Sequence, residues 1–557
     1  MAEKLYYNFG GTQTSTNRFI NEEGELKYLQ NATTESPGTA QRRSGYAQLG
    51  GQITASKDIL GGWNHYRNAN TTYYDLVALN EDVYKLVTAT WTAQSQSLTA
   101  DSKMEFESYM DMVFMCNKDD YTRSYDGTSF YTADSWDEDG GVFNAPKAKY
   151  VKEWKNILYL ANCNDGTTDY PSRIYYNALM GGPVCYVNGD VADTVTTLTL
   201  TSVKYLRTGM KVDIYTAGTS TKVEDLTITA VNRAARTITF SNQAIAVSDN
   251  DEVWIDGKKG KIVSVWDDDV DKGDYVDFKY DVGGEITGIA EGDNRLLVFK
   301  KDSLHYFDGS QPGTVSNTVG TPSHRTIKNV RGYVVFLHPS GVYAVKGGEV
   351  SCLSNGIYKD FVKHFPADLS GACADVEDDR FYKVYIGDIS GSPRSDLTRA
   401  IATYDFDSNQ WEFDQLPDTP KVYWKRDTST TRYQTFGDAN GEIFQFDGST
   451  TDDGNSIPFI MEMHRLHQGA PGERKRYKRV DVHSDRGEGA IVNYSINGED
   501  YKSLGTIDGD FTSFYFSAEG RDISFKITHK NAKTAPQILA INVVYNIQGE
   551  KGARRGE

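Results

Sequence analysis

The sequence predicts an all-β protein: a roughly seven-bladed β-propeller with an inserted small β-barrel and a C-terminal β-sandwich. Three observations carry this expectation. Helical periodicity is nearly absent, and apolar residues recur in short alternating or continuous runs bounded by Gly, Asp-Gly and Asn-Gly turns. Tyr is abundant, 36 of 557 residues, beside many Val, Ile and Thr, side chains that fit a pleated, half-buried surface. One pattern also repeats: a strong apolar strand, a polar turn, then a return strand ending in an aromatic residue and often Asp-Gly.

The repeated pairs run in order along the chain. They are Tyr73–Leu79 with Asp82–Val87, Asp111–Met115 with Tyr121–Gly127, and Asn156–Ala161 with Ser172–Asn177. They continue at Asn294–Phe299 with Ser303–Gly309, Gly332–Leu337 with Gly341–Gly347, Arg380–Ile386 with Ala400–Phe406, and Arg432–Phe436 with Glu442–Gly448. Their starts lie 38, 45, 138, 38, 48 and 52 residues apart. All but one interval fit the ~40–50 residues of a four-stranded blade. The long interval holds five short alternating strands at 195–200, 210–215, 226–231, 236–240 and 252–255, the pattern of a small barrel inserted at an exposed loop. One or two helical turns are expected at 357–365. Five more alternating strands, at 477–482, 490–496, 513–516, 522–528 and 538–545, read as a sandwich, with Asn497-Gly498 in a hairpin turn. The division that follows is an extended N-terminal arm over 1–50, blades over 51–188, the barrel over 189–257, and blades over 258–455. The sandwich covers 456–548 and a small charged tail 549–557.

Composition narrows the function. Lys and Arg number 59 against 77 Asp and Glu, a formal net charge of −18. That balance argues against a general nucleic-acid binder, which needs cations to displace phosphate counterions. Charged residues at 24% and aromatics at 12% exclude intrinsic disorder. No stretch approaches the ~18 apolar residues of a membrane span. The opening Met1–Tyr7 lacks a charged-then-apolar layout, so export by a cleaved leader is not expected. Cys116, Cys163, Cys185, Cys352 and Cys373 form no CxxC pair and suit a reducing compartment, each thiol acting as a small buried hydrophobe.

The common catalytic signatures are missing: no GxSxG elbow, no HExxH, no P-loop and no GxGxxG before a helix. No enzyme activity and no cofactor are expected. His464 and His467 read as a strand end, because a tight metal site needs three or four ligands. The best metal candidates are Asp267, Asp269, Asp271 and Asp274, whose alternate carboxylates around a Gly resemble a Ca²⁺-collecting loop. Their spacing fails the EF-hand pattern, and a solvated acidic turn is the simpler reading. Carboxylates are numerous enough to supply a glycosidase pair, but no blade carries the Ser-x-Asp-x-Gly-x-Thr-Trp turn of sialidase-like propellers. The basic clusters Arg42-Arg43 and Arg474-Lys475-Arg476 read as inter-subunit or inter-domain ion-pair strips, with phosphate contact the other possibility.

A resemblance then enters through specific residues. Gly10-Gly11, Glu23-Gly24-Glu25-Leu26, Asn31, Gly38 and Arg42-Arg43-Ser44-Gly45-Tyr46 resemble the opening arm of tail hub or nozzle proteins of short-tailed bacteriophages. Gly288–Phe299 followed by Ser303–Phe307, and Tyr494–Gly498, are similar as well. The resemblance implies a structural virion protein of the tail, made in the host cytoplasm. It implies a ring of identical subunits, about six, beneath the portal or adaptor and beside tail fibres or spikes. Double-stranded DNA would pass through without sequence-specific contacts, and an acidic channel would repel its phosphates. A different class stays open: a glycan-binding or glycan-cleaving propeller with a lectin-like sandwich. A host-side adaptor platform is a third.

Overall fold

The computed structural model describes residues 2–548 except 15–24, 35–37, 69–70, 133–137, 140–141, 145, 165–167, 181, 192–195, 204, 207, 217–220, 241–245, 258, 260–262, 266–274, 280–283, 390, 392–393, 395–398 and 531–534. The chain forms two compact units: Met1–Lys57 with Thr321–Lys425 and Tyr433–Glu557, and Asp58–Gly320 with Arg426–Arg432. Both are built from strands. Ser354–Ile357 and Val362–His364 form short 3-10 turns where one or two helical turns are expected.

The unit around Asp58–Gly320 contains four antiparallel meanders. Each expected strand pair supplies the middle two strands of one. The first is Ile59–Arg67, Thr72–Leu79, Asp82–Val87 and Thr90–Ala93, and the second Glu105–Tyr109, Met112–Cys116, Arg123–Tyr125 and Phe130–Thr132. The third begins with Lys147–Trp154, Ile157–Asn164 and Asp169–Met180, and the fourth is Ile286–Gly292, Arg295–Lys300, Leu304–Phe307 and Pro312–Ser316. Neighbouring meanders are tied by polar groups of their first strands. Trp63 Nε1 donates to Ser108 Oγ at 2.9 Å, and Lys152 Nζ donates to Glu107 Oε1 at 2.7 Å.

The third meander explains the interval of 138. Its fourth strand, Tyr275–Asp277, pairs with Arg173–Tyr175 only after the chain has left to build another body. That body is a sheet of Cys185–Tyr186, Glu252–Ile255, Lys211–Tyr215, Thr221–Asn232, Thr237–Phe240 and Thr197–Thr199, in that order. The Val187–Leu200 bridge closes it, with Asn188 N donating to Thr199 O at 2.9 Å and Thr201 N to Tyr186 O at 2.8 Å. Leu198, Val212, Ile214, Leu226, Ile238 and Val253 fill its interior. Ala178–Met180 runs antiparallel to Val263–Val265, so the ends of the insertion lie side by side.

The other unit holds two more meanders and all of a third except its Arg426–Arg432 hairpin end. They are Lys328–Val330 to Glu349–Cys352, Cys373–Glu377 to Gln410–Gln415, and Pro420–Asp427, Arg432–Asp438 and Ile443–Phe446. The last is completed by Tyr46–Gln48, which pairs with Phe444–Phe446. The first-to-second hairpins turn through two residues at positive φ: Arg331-Gly332 at 49° and 75°, Asp378-Asp379 at 52° and 51°. That is the mirror-image turn whose twist matches the flanking strands, which is why Gly and Asp mark it.

The sandwich also lies in this unit. One layer is Ala32–Thr33, Ala40–Arg42, Gln537–Ile547, Lys475–Asp485 and Phe511–Gly520, with Ala2–Tyr6 also on Gln537–Ile547. The other is Leu26–Gln30, Phe459–Met463, Ile523–His529, Ile491–Ile496 and Lys502–Thr506. Leu26–Gln30 also touches Gln410–Gln415 through a parallel bridge. The described part of the first 50 residues, expected as an extended arm, therefore supplies strands to both layers and to the last meander. Its Tyr6, Phe9, Leu26 and Leu29 share one core with Val480, Phe525, Ile541 and Val543. Gly45 fixes the path into the closing strand, since a Cβ there would lie 1.9 Å from the Thr451 carbonyl oxygen. Gly45→Ala should destabilise this unit by about 1–3 kcal/mol in urea denaturation, the cost of forced overpacking. An unchanged midpoint would show that the strand has room to shift.

Candidate functional site

The five residues expected in inter-subunit or inter-domain ion-pair strips divide by burial. Arg42, Arg43 and Lys475 lie in the chain's own interior, not on a surface offered to a second copy. Arg43 forks onto Asp452, with Nη1–Oδ1 at 2.8 Å and Nη2–Oδ2 at 2.6 Å. Its Nε lies 3.2 Å from Asn31 Oδ1 and 3.5 Å from Asp414. Asn31 in turn donates to Pro458 O and accepts from Gln415 N, both at 2.8 Å. Arg42 donates to Thr450 O at 3.1 Å. Lys475 donates to the carbonyls of Ala470, Glu473 and Arg521 at 2.6, 3.1 and 2.8 Å. Strand alternation points Lys475 inward with Tyr477, a pattern that outweighs the run of cations around it. Arg474 and Arg476 remain on the surface, near Glu519 and Ser517, each at 3.5 Å. Asp267, Asp269, Asp271 and Asp274 lie outside the described residues.

A carboxylate cluster that sequence spacing did not single out sits on the last meander. Asp418, Asp438 and Glu442 bring carboxylate oxygens within 4.8 Å of one another, the one such group of three metal-capable side chains among the described residues. Asp438 Oδ1 accepts the backbone N–H groups of Asn440 and Glu442, both at 2.8 Å, which fixes its orientation. Tyr46 from the closing strand donates to Asp418 Oδ2 at 2.7 Å. Burial raises the Asp418 carboxyl above its ordinary range, against the Tyr46 hydrogen bond, and Asp452 and Asp453 raise it further. Burial likewise raises Glu442, helped by the negative charge of Asp438 and Asp418. Three carboxylates supply about half the six to eight oxygens that Ca²⁺ takes. The cluster suits proton exchange as well, because two of its members hold protons more tightly than free carboxyls.

A second arrangement is the solvent face of the sandwich layer that carries Lys475–Asp485. Register aligns Tyr515 with Arg479, Ser513 with Asp481 and Asn542, and Phe511 with His483. Leu5 pairs with Asn542 on the far side. Tyr515 is 77% exposed, Tyr7 62%, Phe511 56% and Leu5 46%. Polar groups fill the centre: Ser513 Oγ donates to Asp481 Oδ1 at 2.7 Å, and Asn542 Nδ2 donates to Asp481 Oδ2 at 3.1 Å. The sequence shows these strands as alternating, but only pairing reveals that their outward aromatics gather on one plane.

Comparison with known proteins leaves the class at an all-β protein. No protein-family model matches the chain, and no curated protein matches it. Among solved structures it is similar to the phage phi92 endosialidase at 11% identity, covering 75% of this chain and 56% of that one, with a TM-score of 0.22. The chain thus spans little more than half that enzyme's length. It is similar to an exo-β-1,3-galactanase from Phanerochaete chrysosporium at 8% identity, covering 89% of this chain and 100% of that one, with a TM-score of 0.20. A glycoside hydrolase gives 9% identity, 89% and 99% coverage, and a TM-score of 0.18. Likenesses at these scores carry no argument about activity.

Proposed function

We propose that the chain is a structural subunit of a bacteriophage tail, of the hub or nozzle kind. In this reading its seven meanders close into a propeller, and about six copies form a ring around the path of the genome. The carrying observation is the use made of the arm. Asn31, Arg43 and Gly45, which bear the resemblance, stitch the last two meanders to the sandwich through buried contacts. A subunit under load from packaged DNA needs its termini tied in this way. The excess of acidic residues behind the net charge of −18 suits a channel that repels phosphate and lets a duplex slide. The neighbours in this reading are the portal or adaptor and the tail fibres or spikes.

Native mass and negative-stain imaging test it. The expected result is a ring of about six copies with an axial hole. A chain that stays monomeric, alone and when mixed with portal–adaptor assemblies, overturns it.

One observation favours a second reading, a glycan-cleaving or glycan-binding propeller. The oxygens of Asp418, Asp438 and Glu442 approach within 4.8 Å, close to the ~5–5.5 Å between carboxyl groups in retaining glycosidases. The raised Asp418 and Glu442 match the need for a protonated acid. Reducing-sugar release from a panel of polysaccharides, lost in Glu442→Gln, would establish hydrolysis, and no release by the intact chain rejects it.

A further inference from the structure

We propose that Lys118 and Asn162 form a self-modification site, at which the lysine amine displaces ammonia from the side-chain amide and welds two meanders through an isopeptide bond. It is independent of the ring and glycan readings. Lys118 follows Met112–Cys116 of the second meander, and Asn162 lies within Ile157–Asn164 of the third. The backbone departs from ordinary strand geometry at both residues. Lys118 has a φ of 70° and Asn162 one of 57°, and the register breaks between Ala161 and Cys163, a bulge of the kind that re-aims a side chain.

The amide is held for attack. Asn162 is fully buried, and its Nδ2 donates to Glu285 Oε2 and to Ile286 O, both at 2.9 Å. Those two bonds fix which end of the amide is which, so Oδ1 is the atom that accepts from Lys118 Nζ at 2.6 Å. The same nitrogen is therefore a neighbour of Cγ, and intramolecular reactions are fast when reacting atoms rest ~3–3.5 Å apart. Burial keeps bulk water from that carbon.

A carboxylate stands at each end of the proton path. Asp169 Oδ1 lies 2.9 Å from Lys118 Nζ and takes the proton that makes the amine nucleophilic. Glu285, with Lys149 Nζ 3.6 Å from its other oxygen, touches the nitrogen that leaves. In the step, the Nζ lone pair forms the N–C bond to Asn162 Cγ and the Cγ–Nδ2 bond breaks. One proton passes from Nζ through Glu285 to the departing nitrogen, the proton held by Asp169 follows it, and the products are an amide and ammonium. No oxidant or added reagent is needed. Asp169 and Glu285 are 50% and 47% exposed, which gives the ammonium a way out. Asp169 loses its cation in the product, a small cost at a half-exposed carboxylate. A plain Lys118–Asp169 ion pair would need neither the buried amide nor the second carboxylate.

The test is peptide mass mapping of the full chain, held at neutral pH, beside Lys118→Arg, Asp169→Asn and Glu285→Gln, with circular dichroism confirming each fold. Digestion of the intact chain should release one branched peptide that joins the Lys118 and Asn162 segments and weighs one ammonia less than their sum. Mapping both halves separates it from ammonia loss at a turn such as Asn497-Gly498, which joins no second segment. Lys118→Arg should give linear peptides only. Asp169→Asn and Glu285→Gln, both at half-exposed positions, should each form the bond ~100-fold more slowly, the contribution of a general acid or base. Linear peptides alone from the folded intact chain overturn the proposal and leave these residues as a hydrogen-bonded tie. An unchanged rate in both carboxylate variants overturns the assigned proton path.

Discussion

Replacing Arg43 with Ala should destabilise the unit that holds the sandwich by about 3–5 kcal/mol, the range for breaking one side of a buried ion pair. Asp452 is buried as deeply as Arg43 and receives both prongs of the guanidinium, while Asp414 lies 3.5 Å from Nε. Burial alone would lower the affinity of Arg43 for its proton, yet the hydrogen bond and charge of Asp452 raise it overall, so the guanidinium stays charged. With the cation removed, two buried carboxylates lose the guanidinium between them, and only the weaker attraction of Lys383 to Asp414 and of Arg42 to Asp452 is left. Asn31 also loses the donor that orients its amide toward Gln415. The damage should therefore spread along the arm. Amide exchange should accelerate at 26–30 and 46–48, the arm strands that join a sandwich layer and the last meander. Arg43→Met with Asp452→Leu should recover part of the lost stability, because apolar groups of similar size replace that pair while Asp414 keeps only the attraction of Lys383. A loss below ~1 kcal/mol for Arg43→Ala would mean that water reaches Asp452 and that the stitch is only an exposed pair.

The strand pairs were legible because each obeys a local rule. Leu296–Phe299 is apolar without a break, since a middle strand is covered on both faces, and Asp293-Asn294 ahead of the strand adopts the positive φ of a tight hairpin turn. The outer strands of each meander escaped, Thr90–Ala93 and Pro312–Ser316 among them. They are short and exposed, and little periodicity marks them. Arg43 was visible as a cation and illegible as a core residue, because its partners Asp452 and Asp414 stand some 400 residues away. The same distance hid the Tyr46–Asp418 bond. Asp438 and Glu442 sit four residues apart, and only the fold sets Asp418 against them. Charge and aromatic content can be counted in a sequence, whereas their convergence belongs to strand pairing between distant segments.

Stability should fall as pH rises from about 4.5 to about 8 through the deprotonation of Glu412. Its Oε1 accepts from Thr34 N at 2.7 Å and Thr34 Oγ1 at 2.8 Å, both in the arm. Burial raises this carboxyl against those two hydrogen bonds, Asp414 and Asp405 raise it further, and it reaches about 8. The folded chain thus keeps a proton that the unfolded chain releases near its ordinary 4.5. The stabilisation is complete below that value and is lost as pH climbs to the folded one. The full span corresponds to about 5 kcal/mol. Glu462 acts in the opposite sense and in a different window. Burial raises it, but Arg394 and Lys27 prevail and hold it at about 2, so its contribution is lost only as pH falls below about 4.5. The two effects separate on a pH axis. Glu412→Gln keeps the shape of the protonated acid and cannot ionise. Urea denaturation from pH 5 to 9 should give curves for the two proteins that lie close at pH 5 and diverge steadily above it, the variant being the more stable. Parallel curves would show that Glu412 is ionised in the fold and that its charge is met by a cation. If they diverge, docking of the Ala32–Thr33 strand beside Gln410–Gln415 depends on one buried proton, and alkaline conditions should loosen the arm before the strands beneath it.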